Sequence, residues 1–428
     1  MTLTWLQILR LGLVQLCLGA VVVLTTSTLN RLMVVELALP AVLPGMLVAF
    51  HYGVQLTRPN WGLLSDRGGT RTRFILGGMA VLALGGFLAA LGVVLFPAGF
   101  LTGLSVSVIA YALIGLGVGA SGTSLLALLA TATAPGRRAA AAMITWLMMI
   151  GGIAVTAGTV GHFLEPYSPA LLLRIVGVVT LGAVAVTALA IAGIERRVTA
   201  RSGPGDSMPF MQALGEIWGE RQARNFTLFV FLSMTAYFMQ ELILEPYAGL
   251  VFGFTPGEST ALGGPQHGGA FLGMLVTGIA VSALRIGSLR AWVTGGCLGS
   301  ALALVALAVL GQTGLPLLVP AVAALGFFNG IFAVAAIGAM MALAGEGRDR
   351  REGTRMGLWG AAQAVAAGFG GLAGAALADA LRRLLPAPEA FGTVFLIEAG
   401  LFLAAALMAV RILGGIRMRR DAALVPGG

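Results

Sequence analysis

Twelve stretches of predominantly apolar residues run through the chain, and each approaches or exceeds the ~20 residues that a helix needs to cross the hydrocarbon core of a bilayer. They lie near residues 9–29, 38–57, 74–96, 101–131, 140–163 and 170–193, then near 226–249, 268–286, 291–311, 316–344, 356–379 and 391–413. Backbone polar groups in lipid must satisfy one another, which leaves helices or a closed barrel, and stretches of this length and uniform apolarity suit helices. Composition agrees, because 58% hydrophobic and 10% charged residues leave too little polar surface to coat a water-soluble globule of 428 residues. The reading is an all-α membrane protein with twelve transmembrane helices. Its expected parts are an N-terminal six-helix half over 1–193, a polar linker over 194–225, a C-terminal six-helix half over 226–413 and a tail over 414–428.

The net charge is +9, from 26 cationic residues that are all arginine. These arginines cluster in short connections and do not alternate with stacking aromatics on one face, so nucleic acid is not an expected partner. With the N-terminus in the cytoplasm, only Arg31, Arg174, Arg382 and Arg383 fall outside. The positive-inside rule therefore predicts that orientation, with both termini cytoplasmic. The first span begins close to Met1 without a cleavage site and is expected to stay as a span. Cys17 and Cys297 are far apart in apolar segments, which suggests neither a disulfide framework nor a thiolate metal site.

The two halves echo each other. Arg137-Arg138, Met143 and Trp146 recur 213 residues on as Arg350-Arg351, Met356 and Trp359, and Gly158 and Gly161 recur as Gly371 and Gly374. Six spans per half give the copies one orientation, a parallel repeat like the two halves of a major facilitator transporter. The loop between spans two and three reads Gly62-Leu-Leu-Ser-Asp66-Arg67-Gly-Gly69-Thr-Arg71-Thr-Arg73. It fits the loop signature of that superfamily. Gly62 lets helices approach, Asp66 can cap a helix or pair with an arginine, and Gly69 permits a tight turn. Arg67, Arg71 and Arg73 fix the inner face, and the plainer reading is an ordinary basic cytoplasmic loop. The equivalent stretch of the second half, Arg285-Ile-Gly-Ser-Leu-Arg290, keeps bases but no acid. Any latch built on the acid is therefore asymmetric.

Two further stretches are more specific: Leu29-Asn30-Arg31-Leu-Met-Val-Val-Glu36-Leu-Ala-Leu-Pro40, and Gln240-Glu241-Leu-Ile-Leu-Glu245-Pro246-Tyr247-Ala-Gly249-Leu-Val-Phe-Gly253. With the loop signature they resemble the PucC-like bacteriochlorophyll delivery family of the major facilitator superfamily, over essentially the whole chain. The resemblance implies a major facilitator fold of two six-helix halves in the inner, photosynthetic intracytoplasmic membrane of a bacterium. It also implies a part in light-harvesting complex assembly: bacteriochlorophyll as cargo or ligand, and light-harvesting apoproteins and bacteriochlorophyll synthase as partners beside the membrane lipids. Composition and periodicity say none of this.

Ionisable groups inside membranes are costly and mark candidate sites. Glu241 and Glu245, four apart, are expected on one helix face, able to hold a proton for coupling or to donate a hydrogen bond to a carbonyl. The plainer alternative is that Glu245 anchors the kink before Pro246. Glu36 is a second candidate, with Arg31 as its structural alternative partner, and the distinctive Glu-Pro-Tyr segment adds Tyr247. Leu164-Glu165-Pro166-Tyr167 repeats that tetrapeptide at a non-equivalent position and reads as a helix terminator. His51, flanked by Phe50 and Tyr52, is a candidate axial ligand to a chlorophyll magnesium, against the commoner role of a hydrogen-bonded core histidine. His162 and His267, near the outer ends of their spans, are weaker candidates. Gly117-Val-Gly119-Ala-Ser-Gly122 matches a dinucleotide fingerprint in letters only, since it lies inside an apolar span where helix packing explains it. The chain has no lysine and no nucleophile elbow, and an enzyme is not expected. Two functions follow: an assembly factor that binds or delivers bacteriochlorophyll, or a proton-coupled secondary transporter of a small solute.

Overall fold

The computed structural model describes residues 2–37, 39, 42–67, 70–164, 167–197, 210–254, 262–346 and 352–422, and among them it contains helices and no strand. In order these are α1 (Trp5–Val23), α2 (Leu29–Val35), α3 (Val42–Val54), α4 (Arg58–Arg67), α5 (Arg71–Leu95), α6 (Phe100–Ala132), α7 (Arg138–Phe163), α8 (Pro169–Ile191), α9 (Ile194–Arg197) and α10 (Phe210–Gly219). Then come α11 (Arg221–Met239), α12 (Leu244–Phe252), α13 (Gly263–Ser282), α14 (Leu289–Thr313), α15 (Leu318–Glu346), α16 (Glu352–Arg382) and α17 (Ala387–Ala422). Local chemistry marks several ends. Thr4 and Gln7 form a reciprocal capping box at α1, Ser168 caps α8 with Pro169 in its first turn, and left-handed Gly253 and Gly314 stop α12 and α14.

Among the described residues, nine helices are long and apolar enough to cross a membrane, and α11 with α12 supplies a tenth crossing bent by 45°. Two expected spans, near 38–57 and 268–286, are not in that count of described residues. α3 adjoins residues outside the described ones and continues through the turn Gln55–Thr57 into polar α4. α13 is 20 residues long but opens on Gly263-Gly264-Pro265-Gln266-His267, which dilutes its hydropathy. One expectation needs correcting: the first part of the loop motif, Gly62 to Arg67, is the end of helix α4. Pro59 does not break it, because a proline in a helix's first turn removes an N–H that has no intrahelical acceptor.

The chain forms two compact units, one of Met1–Leu214 with Met341–Ala364, the other of Gly215–Met340 with Val365–Gly428. In the first, α5 and α6 pack backbone to backbone. A Cβ on Gly78 would sit 2.5 Å from the Ser121 nitrogen, and one on Gly117 would sit 2.5 Å from the Leu82 nitrogen. The apparent dinucleotide glycines lie within α6. Between α1 and α2 the helix widens into a π-turn, Leu24–Thr28, and the buried Tyr111 hydroxyl donates to the Thr25 carbonyl at 2.8 Å. In the second unit, Gly269 and Gly273 of α13 abut the carbonyls of Ala323 and Phe327 on α15. A ring cluster of Tyr247, Phe252, Phe391 and Phe395 fills its core.

Candidate functional site

The loop signature does assemble a site, with partners far away in sequence. Asp66, at the end of α4, accepts from Arg71 Nη2 at 2.9 Å. It also accepts from the backbone N–H groups of Gly353 at 2.9 Å and Thr354 at 3.0 Å, and from Thr354 Oγ1 at 3.2 Å. The first amides of a helix have no intrahelical acceptor and carry the positive end of its dipole, so Asp66 caps α16. Arg71 is the hub. It also donates to the Ala127 carbonyl at 2.8 Å and Thr131 Oγ1 at 2.6 Å, and lies 3.5 Å from Glu352 Oε2. Its backbone N–H, with that of Thr72, is received by Glu195, which thereby caps α5. Burial pushes the Asp66 carboxyl above its ordinary range, against the Arg71 charge and the two amides, while Glu352 pushes in the same direction as burial. Gly62 makes the approach possible, since any Cβ there would fall on the Gly353 carbonyl. The Nε and Nη2 atoms of Arg67 are buried and bond to nothing among the described residues. Gly69 lies outside the described residues, as do Pro40, Glu165, Pro166, Arg350 and Arg351.

His51 is buried, and both ring nitrogens are engaged. Nδ1 is 2.9 Å from the Val48 carbonyl and Nε2 is 2.9 Å from Gln55 Nε2. The tautomer follows from the next link. Arg58 Nη2 donates to Gln55 Oε1, so the Gln55 amide faces His51 with its N–H, and the ring accepts at Nε2 and donates from Nδ1. Arg58 Nη1 continues the chain to the Gly360 carbonyl at 3.2 Å. A magnesium ion at Nε2 would need Gln55 to turn away.

The expectation that Glu241 and Glu245 share one helix face is corrected. Glu241 lies in the 3-10 turn Gln240–Leu242, whereas Glu245 lies in the first turn of α12 beyond the bend. Pro246 accounts for the break, since its ring would clash with the Leu242 carbonyl and it has no N–H to give. Both glutamates are exposed. Tyr247 is fully buried, and its hydroxyl donates to the Leu307 carbonyl at 2.5 Å. Glu36 is exposed just after α2; burial and then the Glu36 charge raise the Tyr167 hydroxyl, which places those two side chains near each other. The Arg31 side chain lies outside the described residues. His162 packs on Phe163, and His267 Nδ1 is 2.7 Å from the Gly263 carbonyl.

The model of the PUCC protein family matches residues 28–416 of the chain. The chain belongs to that family. It is 69% identical to the "Bacteriochlorophyll synthase 44.5 kDa chain" of Rhodobacter capsulatus over 427 residues, covering 100% of this chain and 99% of that one. It is 29% identical to "Protein PucC" of Rhodobacter capsulatus, covering 95% and 92%. Among solved structures, a bacterial homologue of the iron transporter ferroportin matches with TM-score 0.75 at 14% identity, covering 96% and 100%. The E. coli fucose:proton symporter matches with TM-score 0.69 at 15% identity, covering 95% and 97%. These likenesses establish the fold: this PUCC protein is a multi-pass, all-helical membrane protein with the architecture of major facilitator transporters.

Several polar residues of this PUCC protein escape the sequence reading. Gln55 and Arg58, four and seven residues after the candidate His51, are two of them; that spacing is a signal once the helix is known to continue past residue 57. Glu195 and Glu352 give no such signal, because their partners are distant in sequence. Glu398 does give one: it is the lone acid of the stretch 391–413. It is fully buried, and neither carboxyl oxygen has a hydrogen-bond partner among the described residues.

Proposed function

We propose that this PUCC protein is an assembly factor of the photosynthetic membrane. It binds bacteriochlorophyll, or helices carrying it, and passes the pigment to light-harvesting apoproteins. The observation that carries this reading is the end-to-end similarity to a relative named as a bacteriochlorophyll synthase chain. We read the role as that of a carrier beside the synthase: among the described residues, the polar side chains of the Asp66–Arg71 cluster cap helices and brace one another. The Asp66–Arg71–α16 cluster then acts as a latch, because noncovalent capping of a helix end can open and re-form as cargo enters and leaves. His51 can serve as an axial ligand only in a state where Gln55 has released Nε2.

The second reading, proton-coupled transport of a small solute, draws support from the transporter fold. One preparation separates the two. The tagged protein is purified in mild detergent from a phototrophic membrane, its near-infrared spectrum is recorded and its co-purifying proteins are identified. Stoichiometric bacteriochlorophyll together with antenna polypeptides or pigment-synthesis enzymes is the expected result. A colourless, solitary protein overturns the assembly reading in favour of solute transport.

A further inference from the structure

The Arg58 guanidinium braces Gln55 and Gly360, but its charge meets no acid among the described residues. Its side chain passes between α6 and the start of α16 through a cradle of glycines. A Cβ on Gly119 would lie 3.5 Å from Arg58 Cγ and 3.2 Å from Trp61 Cδ1, and one on Gly360 would lie 2.7 Å from Arg58 Nη1. The room for a cation is therefore built by small residues on two helices. What fills that room is incompletely satisfied. Arg58 donates to the Gln55 side chain and to the Gly360 carbonyl, both neutral, and its Nε is shut from solvent with no acceptor. No carboxylate pairs with it among the described residues. The other ring-bearing members of the neighbourhood are His51, which accepts from Gln55 and so stays neutral, Tyr52 and Trp61, whose Nε1 is committed to Thr57 Oγ1 at 3.2 Å. The residue as a whole is half-buried.

A cation held away from water without a counter-charge is costly, and a guanidinium presents a planar set of donors that suits an oxyanion. Arg67 lies at the far end of α4, and Arg71, at the start of α5, is already paired with Asp66 and Glu352. One positive charge with apolar and aromatic surroundings matches one negative charge on an apolar body. We propose that Arg58 is the receptor for the single oxyanion of a bound amphiphile, a carboxylate or a phosphodiester. Resting on the pigment reading above, the carboxylate source is a free-acid tetrapyrrole, the pigment before its acid is esterified; the phosphodiester source is a lipid headgroup.

The test uses the full chain in phosphatidylcholine nanodiscs, as wild type, Arg58→Gln and Arg58→Lys. Fluorescence titration compares bacteriochlorophyllide a with its methyl ester, and native mass spectrometry compares retention of phosphatidylglycerol with that of phosphatidylcholine. A charge-assisted hydrogen bond predicts that the wild type binds the free acid at least about tenfold more tightly than the ester. The gap should close in Arg58→Gln, with ester binding unchanged. Where Arg58→Gln fails to insert, Arg58→Lys carries the test, because it keeps the charge without the fork and should weaken the acid alone. Arg58-dependent retention of phosphatidylglycerol without an acid–ester gap assigns the receptor to a headgroup. If the wild type binds neither chlorin, the pigment reading fails while the lipid arm still decides the receptor. An acid–ester gap that survives in Arg58→Gln, or the absence of both the gap and the lipid preference in the wild type, overturns the proposal.

Discussion

Asp66→Asn is the perturbation that isolates the latch. The wild-type carboxylate accepts four hydrogen bonds, one from Arg71 and three from the first residues of α16. Asparagine keeps the shape and one acceptor oxygen, but turns an NH2 group toward donors that need an acceptor. The Gly353 and Thr354 amides are at a helix start, so the helix itself supplies no replacement. Charged hydrogen bonds contribute about 1.5–3 kcal/mol each, and breaking one side of a buried pair costs about 3–5 kcal/mol. Part is regained because the carboxylate is no longer desolvated, and part because water reaches the freed amides. A net cost of about 2–4 kcal/mol is expected, or roughly 30- to 900-fold in the opening equilibrium. Hydrogen–deuterium exchange in nanodiscs reads this directly: peptides covering the start of α16 should exchange faster by that factor, while those of α14 should not change. Arg71→Gln should raise exchange in the same peptides, and the double variant should fall well short of the sum, because each single change already breaks the shared contact. Unchanged exchange at residues 353 and 354 in a folded Asp66→Asn protein would refute the capping argument.

Three other outcomes are expected. Because burial raises the folded-state Asp66 carboxyl above its unfolded value, its contribution to stability is fully present below the ordinary carboxylate range. That contribution is lost as pH rises through the raised value; thermal unfolding across mildly acid pH should show this slope, and Asp66→Asn should flatten it. Tyr111→Phe removes the hydroxyl bond to the Thr25 carbonyl of the π-turn, and Tyr247→Phe removes that to the Leu307 carbonyl. Each should lower stability by about 0.5–1.5 kcal/mol with little change in fold, as read by melting in detergent and by circular dichroism. Glu398→Leu removes a buried carboxyl that has no partner among the described residues, and should hold or raise the melting temperature; a loss of stability would mean that Glu398 has a structural partner outside them.

Much of the architecture is legible in the sequence because lipid allows so few solutions. A long apolar run without charges must be a helix, and a proline four residues after Leu242 must break one. Less legible is which helix face a residue occupies once the helix bends, and Glu241 with Glu245 shows this. Their spacing of four carries meaning only on an unbroken helix, and Pro246 removes that condition. The latch is half legible. Asp66 and Arg71 announce themselves by spacing, but their third partner is the backbone of α16, and amides at a helix start leave no mark in side-chain identity. His51 illustrates the opposite case, where the flanking aromatics suggest a ligand while the deciding neighbours, Gln55 and Arg58, sit one and two turns further on.

A sorting rule for the polar residues inside these helices follows from the cost of burial. Tyr111 and Tyr247 each spend their hydroxyl on a specific protein group, and removing one should cost stability without touching a cargo. Arg58 and Glu398 are different: among the described residues Arg58 bonds only to neutral groups and leaves its Nε unpartnered, and Glu398 bonds to nothing. Stability alone would replace both with apolar side chains, and the glycines around Arg58 show that space was made to keep it. Groups of that second kind are where cargo recognition is to be sought. They also sit in different units, Arg58 with α4 and Glu398 with α17. A cargo that met the cation alone would need one acid, whereas a proton-coupled mechanism would need the carboxyl. Mutating them separately, with pigment content and acid–ester discrimination as the readouts, therefore distinguishes the two functions at the level of single residues.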